Sequence, residues 1–452
     1  MNKFNVVILA AGKGTRMFSN KPKVLHELAG KPILQHVISC AKKLNANKII
    51  VVVGFGSDQV KQAFSHENLI WVEQVKQLGT GHAVQQALPF LDDDATTLIL
   101  LGDVPLIDAI NCQELLAQSK QSLTLLSFIK TDPTGYGRIV RSAVDEVIAI
   151  VEHKDASTEQ RAINEVNTGM MAMPNSHLKN WLQRLQNNNA QGEYYLTDII
   201  GFAVQDEVEV TAELSQDEWA VTGINSKQDL AQIERVYQTR YAQILLKQGA
   251  TLADPARIDV RGQLTVAKDV EIDVGCVFVG NVGLGDSVKI GAYCVIKDAV
   301  IAAGAIIAPY THIVEARIGA NARIGPYARI RPGTVLQADT HVGNFVELKN
   351  AQVDVGSKIN HLSYVGDATI GKHVNIGAGT ITCNYDGTNK FRTVIEDNAF
   401  IGSDSQLVAP VTIGEGATIA AGSTITKNAP AGELSLSRGR QITIKGWKRP
   451  VK

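Results

Sequence analysis

A glycine-rich segment with basic residues around it is the first feature of this sequence that could carry out chemistry. Residues 11–17 read AGKGTRM and follow an apolar, strand-like run. Glycines let backbone N–H groups turn toward a polyphosphate, and Lys13, Arg16 and Lys23 would place positive charge against it. Met17 stands where a dinucleotide-binding fingerprint needs its last glycine, and there is no Walker GK[ST]. The pattern therefore predicts a phosphate-binding loop of neither of these kinds.

A carboxylate at the end of another apolar run predicts a metal site. Asp103 follows the run 98–101 and one glycine, and the carboxyl ends of strands form the ligand-binding edge of open α/β sheets. Mg²⁺ usually takes one or two protein oxygens and completes its shell with water and phosphate, so Asp103 with a distant amide such as Asn225 would suffice. An aspartate that only caps a turn is the alternative.

The second half of the chain offers a candidate base. His361 can exchange a proton near neutral pH. Acyl transfer from a thioester to an amine needs such a base, together with donors for the oxyanion and cations for any phosphate on the acceptor. A histidine here could equally be a structural hydrogen-bond donor, and the sequence around it leaves both interpretations open.

Two different patterns must position these residues, and the first covers residues 1–225. Strand-like runs alternate there with helix-length amphipathic stretches, which predicts an α/β domain with a mainly parallel sheet. The strand-like runs are 5–10, 48–53, 97–101 and 123–128, and the helical stretches include 33–44 and 112–120. Residues 226–249 are predicted to form one helix, either a linker or the last helix of this domain.

From residue 250 to residue 452 the pattern has a period of six. Two unbroken registers show it: Ile318, Ile324, Ile330, Leu336, Val342, Leu348, and Ile395, Ile401, Leu407, Ile413, Ile419, Ile425. A helix cannot keep positions six apart on one face, whereas short strands separated by turns can. Three such hexads close one triangular coil, so the period predicts a parallel β-helix. The segment 383–392 breaks the period and is predicted to be a projecting loop, either functional or a tolerated insertion.

Composition narrows the class of protein. The chain has 452 residues, with 44 basic and 45 acidic side chains and a net charge of -1. We therefore expect neither nucleic acid nor a membrane surface as a partner. The five cysteines are scattered without a CxxC pair, which favours a reducing compartment, and the absence of a signal-like or membrane-spanning run favours the cytoplasm.

Several longer segments identify a family. They are LAAGKGTRM, PKVLH, QLGTGHA, GDVPL, PTGYGRI, VEHKDA, NTGM, GEYYLTDI, HVGNFVELK, HLSYVGDA and NIGAGTITCNYDGTNK. With them the chain resembles, over nearly its whole length, the bacterial bifunctional N-acetylglucosamine-1-phosphate uridylyltransferase and glucosamine-1-phosphate acetyltransferase family. The resemblance implies a Rossmann-like nucleotidyltransferase domain, a linker helix and a left-handed parallel β-helix of hexapeptide repeats.

The resemblance also implies site residues. For the uridylyl site they are Leu9, Ala10, Gly12, Lys13, Gln74, Gly79, Thr80, Gly137, Glu152, Asn167, Tyr195 and Thr197, with Arg16 and Lys23 catalytic and Asp103 and Asn225 as magnesium ligands. For the acetyl site they are Arg331, Lys349, Tyr364, Asn375, Tyr385 and Lys390, with His361, Asn384 and Ser403 catalytic and Ala378, Ser403, Ala421 and Arg438 against acetyl-CoA. Leu101 departs from the family, where an aromatic residue is usual before Gly-Asp.

The implied function is acetylation of glucosamine 1-phosphate by acetyl-CoA, followed by uridylyl transfer from UTP to N-acetylglucosamine 1-phosphate, with Mg²⁺ as cofactor. The products would be UDP-N-acetylglucosamine, for cell-envelope synthesis, and pyrophosphate. The resemblance further implies a homotrimer whose acetyl sites are completed by neighbouring subunits. The alternatives are a single-activity pyrophosphorylase with a structural solenoid, and a non-catalytic binding protein.

Overall fold

The protein is described from a computed structural model that covers residues 3–450. Lys452, the end of the predicted basic tail, lies outside the described residues. The chain divides into two compact units between Tyr237 and Gln238. The predicted boundaries at residues 225 and 249 stay predictions. Among the described residues, no helix is long and apolar enough to cross a membrane.

The first unit alternates strands and helices. Its strands are β1 (Phe4–Ala10), β2 (Glu27–Leu28), β3 (Lys31–Pro32), β4 (Lys48–Val53), β5 (Ile70–Glu73), β6 (Thr96–Leu101), β7 (Leu123–Ile129), β8 (Arg138–Arg141), β9 (Val147–Val151), β10 (Glu165–Pro174) and β11 (Val210–Leu214). Its helices are α1 (Ile33–Lys43), α2 (Ser57–Ala63), α3 (Thr80–Ala87), α4 (Ala109–Gln118), α5 (Thr158–Arg161), α6 (Asn175–Arg184) and α7 (Asp198–Gln205).

These strands form one sheet in the order β11-β7-β10-β6-β1-β4-β5, with β8 and β9 joined to β10 as a side hairpin. Strands β4, β1 and β6 are parallel neighbours, so their carboxyl ends meet at one edge of the sheet. Strand β10 runs antiparallel to both β6 and β7, because the chain enters it from the β8–β9 hairpin rather than through a crossover helix. The sheet is therefore mixed at this point, where the sequence predicted mainly parallel strands.

Helix α8 (Lys227–Lys247) follows the sheet. Its first turn is capped reciprocally, because Ser226 Oγ accepts from the Asp229 backbone N–H at 3.1 Å and an Asp229 carboxylate oxygen accepts from the Ser226 N–H at 2.9 Å. Leu230, Ile233 and other apolar residues of its first half pack with Met17 and neighbouring core residues of the first unit. Its end is followed by Gly249 with a φ of 95°, as expected after a helix C-terminus.

The second unit is built from short strands. They are β12 (Thr251–Leu252), β13 (Ile258–Val266), β14 (Glu271–Ile272), β15 (Cys276–Leu284), β16 (Lys289–Ile290), β17 (Val295–Ile301), β18 (Ile306–Ile307), β19 (His312–Val314), β20 (Arg317–Ile318), β21 (Arg323–Ile324), β22 (Arg329–Ile330), β23 (Val335–Leu336), β24 (His341–Asn344), β25 (Glu347–Lys349), β26 (Gln352–Val353), β27 (Lys358–His361), β28 (Tyr364–Gly366), β29 (Ala368–Ile370), β30 (Asn375–Ile376), β31 (Ile381–Cys383), β32 (Thr393–Ile395), β33 (Phe400–Ile401), β34 (Gln406–Val408), β35 (Val411–Ile413), β36 (Thr418–Ile419), β37 (Thr424–Ile425) and β38 (Leu434–Ser435).

Every third strand pairs in parallel with its equivalent in the next coil, which gives the three faces of a β-helix. Both predicted registers point inward: Ile330 and Leu348 in the first, and Ile401 and Ile413 in the second, are fully buried. This confirms the fold predicted from the six-residue period, a hexapeptide β-helix of the left-handed type.

One coil is longer than the others. Ile359 pairs with Ile376, 17 residues on, whereas Ile376 pairs with Ile401, 25 residues on. The extra residues form the loop predicted from the break in the period, between β31 and β32. The loop leaves and rejoins the coil at one place, because the Phe391 N–H donates to the Asn384 carbonyl at 2.9 Å.

Candidate active sites

The carboxyl edge of the first sheet carries a cleft of about 310 Å³. It is reached from the ends of β1 and β6 and from the segment that leads into α3. Eight of the predicted uridylyl-site residues line it, namely Leu9, Ala10, Gly12, Lys23, Gln74, Gly79, Thr80 and Asp103. A Cβ on Gly12 would meet no protein atom within 4 Å, so the missing side chain leaves space beside the backbone. The predicted loop therefore lies where parallel strands present ligands.

Three predicted residues converge at one side of this cleft. Lys23 Nζ lies 2.5 Å from Asp103 Oδ2 and donates to Asn225 Oδ1 at 3.1 Å. An ammonium group thus sits between the two oxygens predicted to bind Mg²⁺. All three side chains are hard ligands or charge partners of a phosphate, and the described residues contain no group of three or more His, Cys, Asp or Glu that could hold a metal alone. The two oxygens fit a Mg²⁺ ion that draws its remaining ligands from water and substrate.

Arg16 belongs to an adjoining cavity of about 400 Å³ that also includes Asp103 and Asn225. A short 3₁₀ turn, Thr15–Met17, carries it, and the buried Met17 side chain anchors that turn. Lys13 precedes the turn and lines neither cavity among the described residues. The structure therefore brings Arg16 to the site but not Lys13.

The predicted sugar-binding residues form a neighbouring group. Glu152 Oε1 accepts from Thr197 Oγ1 at 3.2 Å, and a Cβ on Gly137 would lie 3.3 Å from the same carboxylate oxygen. The Asn167 N–H donates to the Gly137 carbonyl at 2.9 Å. Burial raises the pKa of Glu152, and the Thr197 hydrogen bond opposes that shift only in part. A buried carboxylate with little compensation is suited to accept hydrogen bonds from a ligand.

Tyr195 lies beside this group but contacts other partners. Its hydroxyl donates to Asp155 Oδ2 at 3.3 Å and accepts from Gln191 Nε2 at 2.9 Å. Tyr195 and Glu152 line the same cavity, of about 510 Å³. Its position is thus compatible with the prediction, through the cavity rather than through Thr197.

Sequence reasoning missed several residues of the first cleft. Gln77 and Glu193 line it, and His82 contacts Gln74 from helix α3. All three lie inside or next to the segments QLGTGHA and GEYYLTDI. Leu101 also lines the cleft, and its Cδ1 would lie 3.1 Å from a Cβ on Gly169. The Leu101 side chain thus closes part of the wall.

The solenoid carries a column of predicted acetyl-site residues at one corner. We call it the histidine corner, and its members are Asn344, His361, Ala378, Ser403 and Ala421. Asn344 pairs with His361, and the registers of the following strands place the others one coil apart. Asn344 Oδ1 lies 3.0 Å from His361 Nδ1. Since a carbonyl oxygen only accepts, Nδ1 carries the proton and Nε2 is free to act as the base.

Small residues continue this corner above His361. Ala378 and Ala421 leave the surface shallow on either side of Ser403, and Arg438 Nη1 donates to the Ala421 carbonyl at 3.0 Å. The predicted acetyl-CoA residues are therefore contiguous with the predicted base.

A second column stands at the next corner. We call it the cation corner, and its members are Arg331, Lys349, Asp367 and Asn384. Asp367 accepts from the Asn384 amide at 2.5 Å and from Asn350 at 2.7 Å. Burial raises the pKa of Asp367, but these two hydrogen bonds and nearby lysines outweigh burial and hold it below its usual value.

Lysine charge is concentrated at the cation corner. The Lys390 ammonium, from the projecting loop, lies close enough to Lys349 to lower the pKa of Lys349. Arg331 Nη1 is 2.7 Å from a carboxylate oxygen of Glu347. Two lysines held together against their repulsion are suited to bind a phosphate.

The two corners lie at opposite ends of strand β28. Tyr364 is on that strand, while Asn375 is on β30, in another sheet. Five residues of extended chain separate His361 from Gly366, which is about 16 Å at 3.3 Å per residue. Within one chain the predicted base and the predicted phosphate-binding cations are therefore too far apart to contact the same small group.

The loop residues Tyr385 and Lys390 bridge each other in an antiparallel pair. Asp386 accepts from the backbone N–H groups of Thr388 and Asn389 at 2.8 and 2.6 Å. Tyr385 is 60% exposed and its hydroxyl donates to the Gly387 carbonyl at 2.5 Å. The loop is thus internally braced and holds Lys390 beside the cation corner.

Comparison with known domain families defines the class of protein. Residues 6–166 match the MobA-like NTP transferase domain, and residues 392–427 match the six-repeat bacterial transferase hexapeptide. Residues 260–353 match the GMPPB C-terminal domain. The chain is therefore a nucleotidyltransferase joined to a hexapeptide-repeat transferase.

Full-length relatives identify the family. The chain is 68% identical to the bifunctional protein GlmU of Methylobacillus flagellatus, over 100% of this chain and 98% of the relative. It is 57% identical to that of Nitrosospira multiformis and 58% identical to that of Ralstonia nicotianae, each over at least 99% of both chains. The chain belongs to the bifunctional GlmU family.

Family membership confirms the family predicted from the motifs, with its acetyltransferase and uridylyltransferase activities. A solved structure of UDP-glucose pyrophosphorylase complexed with UDP-glucose is similar over 53% of this chain and 100% of its own, at 17% identity and a TM-score of 0.43. That similarity is too low to bear on the sites.

Proposed function

We propose that the cleft in the first unit transfers uridylyl from UTP to N-acetylglucosamine 1-phosphate, and that the solenoid acetylates glucosamine 1-phosphate from acetyl-CoA. The observation that carries the proposal is the convergence of Lys23, Asp103 and Asn225 beside a cleft lined by the phosphate loop. A nucleotidyl transfer needs such an arrangement of positive charge and oxygen ligands around two anions.

In the first site the sugar 1-phosphate oxygen attacks the α-phosphorus of UTP. The bond to the β-phosphate oxygen breaks in line, and pyrophosphate leaves with the electron pair. Lys23 and Arg16 draw the two mutually repelling anions together and offset the charge of the pentacoordinate transition state. Mg²⁺, held by Asp103 and Asn225, would neutralise phosphate charge and orient the triphosphate. No protein nucleophile is required.

In the second site the glucosamine amine attacks the thioester carbonyl of acetyl-CoA. His361 Nε2 removes the proton from the ammonium group of the substrate, and Asn344 holds the ring in the tautomer that makes Nε2 the acceptor. Asn384 positions the amine, and Ser403 donates to the developing oxyanion. The C–S bond then breaks, and the coenzyme A thiolate regains a proton.

We infer that a homotrimer completes this second site. The histidine corner and the cation corner stand about 16 Å apart in one chain, yet the reaction needs a base and phosphate-binding cations around one small sugar. Apposition of the histidine corner of one copy with the cation corner of another would bring them together. All four substrates are small cytoplasmic metabolites, which supports a location in the cytoplasm.

A two-signal assay on the full chain tests both halves of the proposal. Purified protein is given glucosamine 1-phosphate, acetyl-CoA, UTP and Mg²⁺, and free thiol and pyrophosphate are followed separately. We expect both to be released, with pyrophosphate dependent on acetyl-CoA. Pyrophosphate without thiol, with N-acetylglucosamine 1-phosphate supplied, would instead indicate a pyrophosphorylase with a structural solenoid.

Two substitutions assign each signal to its site. His361→Ala should lower thiol release by about a thousandfold or more while leaving pyrophosphate release from N-acetylglucosamine 1-phosphate nearly intact. Asp103→Ala should do the reverse. Loss of both signals in either folded variant would contradict the two-site proposal.

A further inference from the structure

The wall of the first cleft holds a histidine that no predicted role explains. His82 lies in the first turn of α3, and its Nδ1 is 3.0 Å from Gln74 Nε2. The same Gln74 nitrogen donates to the Gly79 carbonyl at 2.9 Å. The Gln74 side chain is 97% buried, so these two contacts fix its amide.

The two contacts determine which atom of the amide faces which partner. Because the Gly79 carbonyl only accepts, the atom beside it must be the Gln74 nitrogen. The second hydrogen of that nitrogen then points at His82 Nδ1, which must offer a lone pair. His82 is therefore held as the neutral tautomer with its proton on Nε2. Gln86, whose amide lies 3.2 Å from Nε2, can present its oxygen to that proton by a half-turn of the amide.

This arrangement leaves Gln74 Oε1 for the ligand. The oxygen accepts no hydrogen bond from the described residues, and it is not among their buried unpaired polar atoms, while Gln74 lines the cleft. An amide oxygen at this position accepts from the N3–H of uracil or thymine. Cytosine carries a lone pair at N3, so it would meet the same oxygen with repulsion.

We infer that His82 is a positioning residue that sets the pyrimidine preference of the cleft: by accepting from the Gln74 amide nitrogen, it turns the Gln74 oxygen toward the base and selects a base with an N3–H donor. The inference rests on the proposed uridylyl transfer. His82 touches neither the base nor a phosphate in this role, and acts only through Gln74.

Protonation of His82 removes the preference. An imidazolium presents N–H at Nδ1, which opposes the Gln74 nitrogen and favours the turned amide, with its nitrogen toward the base. The groups that face the ring are the Gln74 amide, the Gln86 amide and the Tyr194 ring at 6.3 Å between centroids, with the Glu193 carboxylate on the same cleft wall. Burial lowers the pKa of His82, so the neutral form persists at neutral pH and is lost only in acid.

The test compares kcat/KM for UTP and for CTP, with N-acetylglucosamine 1-phosphate and Mg²⁺, in the full-length protein. His82→Leu removes the acceptor, whereas His82→Asn keeps an oxygen close to the position of Nδ1. His177→Leu is the matched control, because it removes another imidazole of the same unit, one stacked on Trp181. Thiol release from the solenoid reports that each variant is folded and loaded equally.

We expect His82→Leu to lower the UTP-to-CTP ratio by roughly tenfold or more, and His82→Asn and His177→Leu to keep it within about threefold of the wild-type ratio. An unchanged ratio in His82→Leu, even with a slower rate for both nucleotides, would overturn the inference. If His82→Leu does not fold, the ratio of the wild type between pH 5 and pH 7.5 decides: it should fall in acid for the wild type and stay flat for His82→Asn, and a flat wild-type ratio overturns the inference. Absence of pyrophosphate from every nucleotide would instead contradict the proposed function.

Discussion

The acetyl-transfer base depends on one neighbouring amide. Asn344 Oδ1 accepts the His361 Nδ1 proton in a pair that is exposed to solvent, so little else restrains the ring. Asn344→Leu should lower kcat for acetyl transfer by about tenfold, because the ring then samples orientations and tautomers in which Nε2 is not the acceptor. KM for acetyl-CoA should change less. Thiol-release kinetics measure both constants.

The control for this substitution is Gln352→Leu, which removes another exposed solenoid amide, one that donates to the Gly333 carbonyl at 3.1 Å. Equal losses of kcat in the two variants would show that the Asn344 effect is only a general loss of solenoid stability.

A second residue-scale prediction concerns Glu152. Because burial raises its pKa, the carboxylate destabilises the folded state above the pKa of an unfolded glutamate and has no such effect below it. Glu152→Gln should therefore raise the thermal stability of the protein at pH 7–8, and this gain should shrink as the pH falls through about 4.3. The same change should raise KM for N-acetylglucosamine 1-phosphate about tenfold, since a neutral acceptor replaces a charged one.

Calorimetry across pH and pyrophosphate-release kinetics make the two measurements. A variant that is less stable at pH 8 than the wild type would contradict the assignment of burial as the dominant cause. Unchanged KM would remove Glu152 from the sugar site.

At the scale of elements, the projecting loop is separable from the coil that bears it. Strands β31 and β32 pair with the neighbouring coils without residues 385–391, and the Phe391–Asn384 hydrogen bond brings the loop ends together. Deleting 385–391 should leave the solenoid folded, with a change in Tm of a few degrees. It should lower acetyl transfer about a hundredfold or more, because Lys390 and Tyr385 are lost. Circular-dichroism melting and thiol release test this, and retained acetyl transfer would reduce the loop to a tolerated insertion.

The period of the sequence was sufficient to predict the solenoid because each inward aliphatic residue is a local signal that repeats. The direction of β10 was not predictable, since a strand pattern in sequence carries no information about which way its neighbours run. The two corners were within reach: Arg331 and Lys349 are 18 residues apart, and Asn344, His361 and Ala378 are 17 apart, which is one coil each. The 25-residue coil shifts this spacing for Ser403 and Asn384, so the columns become evident only in the structure.

At the scale of the whole molecule, the separation of the two corners predicts complementation between inactive copies. His361→Ala and Lys349→Ala should each lose acetyl transfer as homotrimers, the first through its base and the second through its phosphate-binding cation. If each site joins the histidine corner of one copy to the cation corner of another, co-expressed mixed trimers contain sites with both wild-type halves. Random assembly gives such sites at about one quarter of positions, so about a quarter of the wild-type rate of thiol release should return. Sites built within one chain would recover nothing, because every chain then carries one defect. Mass measurement of the co-purified complexes, with two distinguishable tags, establishes that mixed trimers are present before the rate is compared.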